Sequence, residues 1–425
     1  MRTAPRPTLA AIALTVAAAL PAVLPGPAGA HGTRPAGPAT KHRPSVQLIG
    51  RAVLPVQTYA PGPPADNPDL PRLVRGITFP LPSQPVEGFS AVIDGRHRGE
   101  YLAMPDNGFG SKANSRTFLI RAYFIRPHFK TARGGSGTVD VGRFISFRDP
   151  RHLIGFPIVN ENGTGRLLTG GDIDPESLQR ARNGDLWVGD EFGPWILHFS
   201  RTGVLLDPPF EIPGVQSPNN PHLADPAAFT QPNSRGFEAM AISPNGRYLY
   251  AALEGARVGA SDATARSVYQ FSVRDKALTG RVWTYHTQDP AFMLADMAAL
   301  DAHRLLLIER DGGLGLSANY RKVRLVDLRG TGPGQTLTAV DVVDLTNIPD
   351  PHLISLPAIH PGDVGLGNPF RVVCESVEAL HTLGHGRLLV GCDNNFPNAG
   401  RNPDLADDNE FIVVRVNGLR EGSDR

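Results

Sequence analysis

Long apolar runs are absent beyond the first thirty residues. No later stretch of 18 or more apolar residues occurs, so nothing there reads as a membrane span. A dominant charge is also lacking. The 425 residues carry 42 basic side chains, nearly all arginine, against 41 acidic ones, and no long basic run or basic–aromatic interleaving appears. This argues against nucleic acid as a partner. There is no H-E-x-x-H and no EF-hand loop, and the 13 histidines are scattered, which argues against zinc. No G-x-S-x-G elbow supports a serine hydrolase of the α/β type. Helical periodicity long enough for a βαβ unit is missing, which disfavours a parallel α/β fold. Cysteine is scarce too. Cys374 precedes the first strand of the last hairpin and Cys392 ends the second. The spacing predicts a disulfide, worth about 3 kcal/mol by loop closure, with two buried free thiols as the alternative.

What is abundant is proline (40) and glycine (46), which suits many short strands joined by turns. The N-terminus reads as a secretory signal over residues 1–30: Arg2 and Arg6, an apolar Leu9 to Leu24, then an Ala28-Gly29-Ala30 cleavage site. A retained signal anchor is the alternative. Residues 31–45 read as a disordered lead-in. The mature chain is expected to be secreted, monomeric and without a membrane span.

The clearest structural signal is GFEAMAISPNGRYLYAALEG, Gly236 to Gly255. Two apolar strands flank an Asn-Gly turn, the strongest short-range hairpin signature. The unit recurs from Glu87, Asp174, Asp296 and Glu375, with starts roughly 60 to 90 residues apart. Each unit shows an acid, a strand, a turn, a stronger strand and an acid. The pairs are Glu87/Asp106, Glu176/Asp190, Glu238/Glu254, Asp296/Glu309 and Glu378/Asp393.

Outer strands follow each hairpin: 118–125 and 138–147, then 195–200 and 204–208, then 267–273 and 281–286, then 322–327 and 338–345. The last unit supplies only 410–416, while 46–55 is a strand without a partner. Pairing these two would remove the exposed sheet edges. The expectation is an all-β chain: a single β-propeller of about five to six four-stranded blades, closed by the terminal strands and spanning 46–420.

In that architecture both acids of each unit emerge on one face. Crowded carboxylates raise each other's pKa unless a cation lies between them. A hard cation such as Ca²⁺, which takes six to eight oxygens, is the natural partner. Further acids stand at Asp172, Asp174, Glu191 and Asp311, with neutral oxygens at Asn107, Asn394 and Asn395. For any single acid the alternative is a turn cap or a solvated loop tip. Arg116, Arg235 and Arg310 flank the acids and suit bidentate phosphate contact, or ion pairs with neighbouring acids. Arg96-His97-Arg98-Gly99 superficially resembles a histidine-phosphatase motif, but a turn is the better reading.

GDLWVGDEFGPWILHFSRTG (184–203), SRGFEAMAISPNGRYLYAALEG (234–255), LLLIERDGG (305–313) and SVEALHTLGHGRLLVGCDNNF (376–396) together resemble the phytase-like family, whose domain is described as "esterase-like activity of phytase". The resemblance covers roughly residues 70–416. It implies an exported β-propeller and a phosphoric-ester hydrolase in the style of Ca²⁺-dependent alkaline phytases. The family's motif acids fall on Asp190, Glu191, Glu238, Glu254, Glu309, Glu378 and Asp393, beside Arg235 and Arg310. Two departures are visible: EGFSAV in the first unit, and SVEAL where Lys-x-Glu-Gly is common.

The resulting expectation is a small phosphorylated substrate. Glu87, Asp106, Glu176, Asp190, Glu254, Glu378 and Asp393 hold Ca²⁺. One of Glu191, Glu238 or Glu309 is the general base, and Arg116, Arg235 and Arg310 bind substrate. Two other readings compete. One is a non-catalytic propeller binding module at the cell envelope. The other is a metal-dependent lactonase-type propeller, with Glu87, Asn107 and Asp393 converging on the axis.

Overall fold

The computed structural model describes residues 45–422, so the signal segment lies outside the described residues, as does the lead-in apart from Ser45. The chain is all-β. Its only described helices are the single 3₁₀ turns Pro226–Ala228 and Gly315–Ser317, and no helix is long and apolar enough to cross a membrane.

Twenty strands group into five four-stranded units. The first runs Phe89–Asp94, Tyr101–Pro105, Arg121–His128, Thr138–Ser146. The second runs Pro175–Arg180, Leu186–Asp190, Trp195–Phe199, Phe210–Glu211. The third runs Phe237–Ile242, Tyr248–Leu253, Ala265–Ser272, Ala277–His286. The fourth runs Met293–Ala299, Arg304–Arg310, Arg321–Asp327, Ala339–Asp344. The fifth runs Ser376–Thr382, Arg387–Asp393, Asn409–Val416 and is completed by Val46–Leu54. That N-terminal strand pairs antiparallel with the C-terminal one from Val46↔Val416 to Leu54↔Asn409. It also touches the first unit through one parallel pair, Val53↔Thr138, which joins units one and five into an eight-stranded sheet.

The first strands of the units touch in cyclic order, one to two to three to four to five and back to one. The core follows the same order. Trp187 of unit two packs with Phe237 and Phe271 of unit three. Tyr250 and Trp283 of unit three pack with Leu294 and Leu305 of unit four. Ile308 and Val323 of unit four pack with Val377 and Val390 of unit five. Leu54, Ala379 and Phe411 of unit five pack with Phe89 and Tyr101 of unit one. Leu102 and Phe124 of unit one pack with Leu178 and Val188 of unit two. Each unit therefore packs its inner strands against its neighbours on both sides, while the outer strands Thr138–Ser146 and Ala277–His286 stay largely exposed or half-buried.

The Asn245-Gly246 turn forms as expected, with Gly246 at φ 68°. One strand differs. The outer strand expected at 204–208 forms instead at Phe210–Glu211. Val204 and Leu205 make only isolated bridges to Arg148 and Phe199. Pro208 and Pro209 cannot donate to a ladder, so regular pairing resumes beyond them. Cys374 and Cys392 form the expected disulfide, with Cα atoms 6.1 Å apart.

Candidate functional site

Every inner hairpin carries the same irregularity. Pairing slips by one residue between Phe89 and Ala91, Pro175 and Ser177, Phe237 and Ala239, Leu294 and Asp296, and Val377 and Ala379. The bulged residues are Ser90, Glu176, Glu238, Ala295 and Glu378. A bulge leaves its residue outside the ladder and re-aims the side chain. Three of the five are buried glutamates, and they converge: oxygens of Glu176, Glu238 and Glu378 lie within 4.8 Å of one another.

The same register defines a second ring. The residue following the pre-bulge partner is Asp106, Glu191, Glu254, Arg310 and Asp393 in units one to five. Four are acids, and unit four supplies an arginine. The three bulge glutamates and all five members of the second ring line one cavity of about 310 Å³, which Asp174, Arg235 and Glu375 also line. Gly236 makes this crowding possible: a Cβ there would lie 2.5 Å from the Glu191 carbonyl oxygen.

Two more carboxylate triads, Asp106/Asp174/Glu176 and Glu191/Glu238/Glu254, also bring oxygens within 4.8 Å of one another. Glu176 and Glu238 each belong to two triads. Burial first, and neighbouring carboxylates second, push Asp106, Glu176, Glu191, Glu238 and Asp393 well above the usual range. Burial likewise lifts Asp174 to about 6. Every potential ligand in the triads is a carboxylate oxygen. That donor set fits a hard cation of the Ca²⁺ type and does not fit zinc.

Two guanidiniums temper the charge. Arg310 is buried and donates to Glu378 Oε1 at 2.7 Å and to Glu254 Oε1 at 3.4 Å. Although burial opposes it, the pull of Glu378 and Glu254 holds its charge in place. Arg235 donates to Glu254 Oε2 at 2.7 Å, with 40% of its side chain exposed.

The register corrects the acid pairing read from sequence. Glu176 belongs with Glu191 rather than Asp190, and Asp106 belongs with Ser90 rather than Glu87. Asp190 and Glu309 stand one residue too early to line the cavity. Asp190 accepts the Asp174 and Gly193 N–H groups at 2.8 and 2.6 Å and caps the turn, and burial first lifts it to about 7. Glu309 accepts from Arg324 Nη1 at 2.9 Å, from the Gln288 N–H at 2.6 Å and from the Tyr285 hydroxyl. Asp296 is likewise structural, accepting the Leu380 N–H across units at 2.7 Å. Glu309→Ala would remove the buried acceptor shared by Arg324, Tyr285 and the Gln288 N–H, leaving Arg324 with Asp341 alone as an acidic partner. It is expected to cost about 3 kcal/mol in urea unfolding while leaving the response of the melt to Ca²⁺ intact.

Glu87 lies outside the cavity lining, buried, with both oxygens lacking a hydrogen-bond partner. Its carboxyl is raised by burial, then by Asp106. Of the Glu87, Asn107, Asp393 set, Asn107 and Asp393 line the cavity and Glu87 does not, and Asn107 Oδ1 accepts from the Phe109 and Gly110 N–H groups. Asp172 and Asp311 accept backbone N–H groups in their own loops. Arg116 is exposed and does not line the cavity. Asp174 and Glu375 do line it. The Asp-Pro-Glu string at 174–176 was the available signal for the first; nothing local distinguishes the second.

A family model described as "Phytase-like: Esterase-like activity of phytase" matches residues 84–396. The chain belongs to this family. The matched span of this phytase-like chain contains both rings. A relative described as an "Uncharacterized secreted protein" from Arthroderma benhamiae is 26% identical over 207 residues, which cover 39% of the phytase-like chain and 40% of that relative. Among solved structures, one similar chain is a protein from Lactobacillus plantarum, at 12% identity and TM-score 0.34, covering 74% of this chain and 65% of that one. Another is a luciferin-regenerating enzyme, at 10% identity and TM-score 0.35, covering 89% of this chain and 97% of that one. At these TM-scores neither likeness bears on fold or function.

Proposed function

We propose that this phytase-like protein is an exported five-bladed β-propeller that hydrolyses phosphate esters with Ca²⁺ held in its acidic cavity. The observation that carries the reading is the convergence of the bulge glutamates Glu176, Glu238 and Glu378 beneath a rim bearing Arg235. The cyclic packing of five four-stranded units supports the propeller. Export agrees with the disulfide and with the relative described as secreted.

Glu176, Glu238 and Glu378 would hold the cation, with Asp106, Asp174 and Glu176 as a further position. A bound cation supplies neutralising charge, an oxygen site for substrate phosphate and a more acidic water. Arg310 fixes the orientation of Glu254 and Glu378 through its two ion pairs. Arg235, half-exposed, meets the phosphoryl oxygens of the arriving ester. Glu238 is committed to two triads, which leaves Glu191 to accept a proton from the attacking water.

The test is phosphate release from phytate and from an aryl phosphate by the mature protein, with Ca²⁺ and then with chelator. Release is expected with Ca²⁺ alone, and Arg235→Ala is expected to raise KM about tenfold. No release from either substrate at saturating Ca²⁺ would sink the assignment.

A further inference from the structure

The hairpin turns lie at the opposite end of each unit from the acidic cavity. There the Arg96-His97-Arg98-Gly99 turn of unit one stands between two further cavities. One, of about 560 Å³, reaches to unit five and is lined by Arg96, Arg98 and Arg387. The other, of about 670 Å³, reaches to unit two and is lined by Arg96, Arg180 and Arg201. Both share Gly95 and Arg96, so the two form one track over three adjacent units.

The track carries five arginines against one lining acid, Asp94, which faces the cavity toward unit five. Among the described residues, none of the five arginines forms an ion pair. Arg180 donates only to the Asp94 and Gly95 carbonyls, at 2.7 and 3.3 Å. Arg387 donates to the Gly384 and Leu383 carbonyls, at 3.2 and 2.9 Å. The nearby acids are spent elsewhere. Glu100 accepts from Arg143 at 3.2 Å and from the Arg96 N–H at 2.8 Å. Asp94 sits 3.1 Å from His381. The cavity toward unit two has no acid in its lining. Like charges this close are stable only in water or against an anion. Arg180 shows the strain: burial first, then Arg96, lowers its pKa.

The turn itself is rigid. The Gly95 N–H donates to the Glu100 carbonyl at 2.7 Å, and the Glu100 N–H to the His97 carbonyl at 2.9 Å. The guanidiniums of Arg96 and Arg143 lie over Phe124, 5.7 and 3.8 Å from the ring centre. That ring is 3% exposed, and Tyr101 is 8% exposed, so neither offers a face on which a base could stack.

We propose that this turn face docks a linear anionic glycan, sulfated or phosphorylated, running from Arg387 and Arg98 across Arg96 to Arg180 and Arg201. An extended polyanion is favoured over a single phosphate because the arginines span three units rather than closing on one point. Binding there would hold the protein on a charged polymer while leaving the acidic cavity open on the other face.

The test is fluorescence anisotropy of a labelled heparin octasaccharide against the mature chain at about 50 mM and about 150 mM salt. Wild type is expected to bind and to weaken steeply with salt. Arg96 and Arg201 are exposed, so the double variant R96A/R201A should fold, which an unchanged melt would verify. It is expected to bind at least about tenfold more weakly, since two phosphate-like contacts are lost. Arg72→Ala, at an exposed ion pair with Asp66, should leave binding unchanged. No binding by wild type at low salt would overturn the proposal, as would wild-type affinity in R96A/R201A. Equal affinity for single-stranded DNA of the same charge would overturn the assignment to a glycan.

Discussion

Glu238→Gln is expected to abolish the response of the protein to Ca²⁺ and to lower phosphate release by about 10³-fold. The substitution keeps side-chain volume, so the fold should survive it. What it removes is the carboxylate that two triads share, Glu176/Glu238/Glu378 and Glu191/Glu238/Glu254. A neutral amide there offers one oxygen and no charge. Glu238 is also held well above the usual carboxylate range, by burial and then by Glu254. Without cation, the variant should therefore melt above wild type at alkaline pH, because one buried repulsive charge is gone. Thermal melts with and without Ca²⁺, alongside the phosphate-release assay, check both halves. A variant that keeps its Ca²⁺-induced rise in Tm would contradict the role given to Glu238.

Stripped of divalent cation, the wild-type protein is expected to lose stability as pH rises. Asp106, Asp174, Glu176, Glu191, Glu238, Glu254 and Asp393 of the cavity have folded-state pKa values above their ordinary ones, so the folded state holds more protons than the unfolded chain. Their stabilising contribution is complete below the ordinary carboxylate range and is lost as pH climbs through the folded values. For Asp174 of the cavity this stands at about 6, and Asp190, buried behind the cavity wall, adds a value of about 7. Asp106, Glu176, Glu191, Glu238 and Asp393 are raised well above the usual range, so the loss should extend beyond neutrality. Tm is expected to fall by about 5 °C or more between pH 5 and pH 8. Saturating Ca²⁺ should reverse the trend, because a cation binds the deprotonated carboxylates and its affinity grows as they ionise. A chelated protein whose Tm is flat or rising over this window would contradict the account.

Much of this arrangement was legible in the residues. The acid–strand–turn–strand–acid repeat marked all five inner hairpins, and the unpaired strand at 46–55 announced its C-terminal partner. The bulge was not legible. In a regular strand, side chains alternate with period two, and one inserted residue flips which of two neighbours faces the cavity. At Asp190-Glu191 the bulge turns Glu191 inward and leaves Asp190 to cap a turn. At Glu309-Arg310 it turns the arginine inward and leaves the glutamate to Tyr285 and Arg324. Glu87 and Asp296 looked equivalent to Glu238 because each opens its hairpin, yet the register gives that place to Ser90 and Ala295. Sequence spacing alone cannot separate these cases, because the bulge falls one to three residues from the acid that opens the hairpin.

The central claim is that the bulge glutamates form a cation site on the axis of the ring. Crystals grown with Ca²⁺, or with Mn²⁺ as an anomalous scatterer, test it most directly. The account predicts density about 2.3 to 2.6 Å from carboxylate oxygens of Glu176, Glu238 and Glu378 for Ca²⁺, with a further ion among Asp106, Asp174 and Glu176. Ions confined to surface acids, with the cavity carboxylates holding only water, would contradict it.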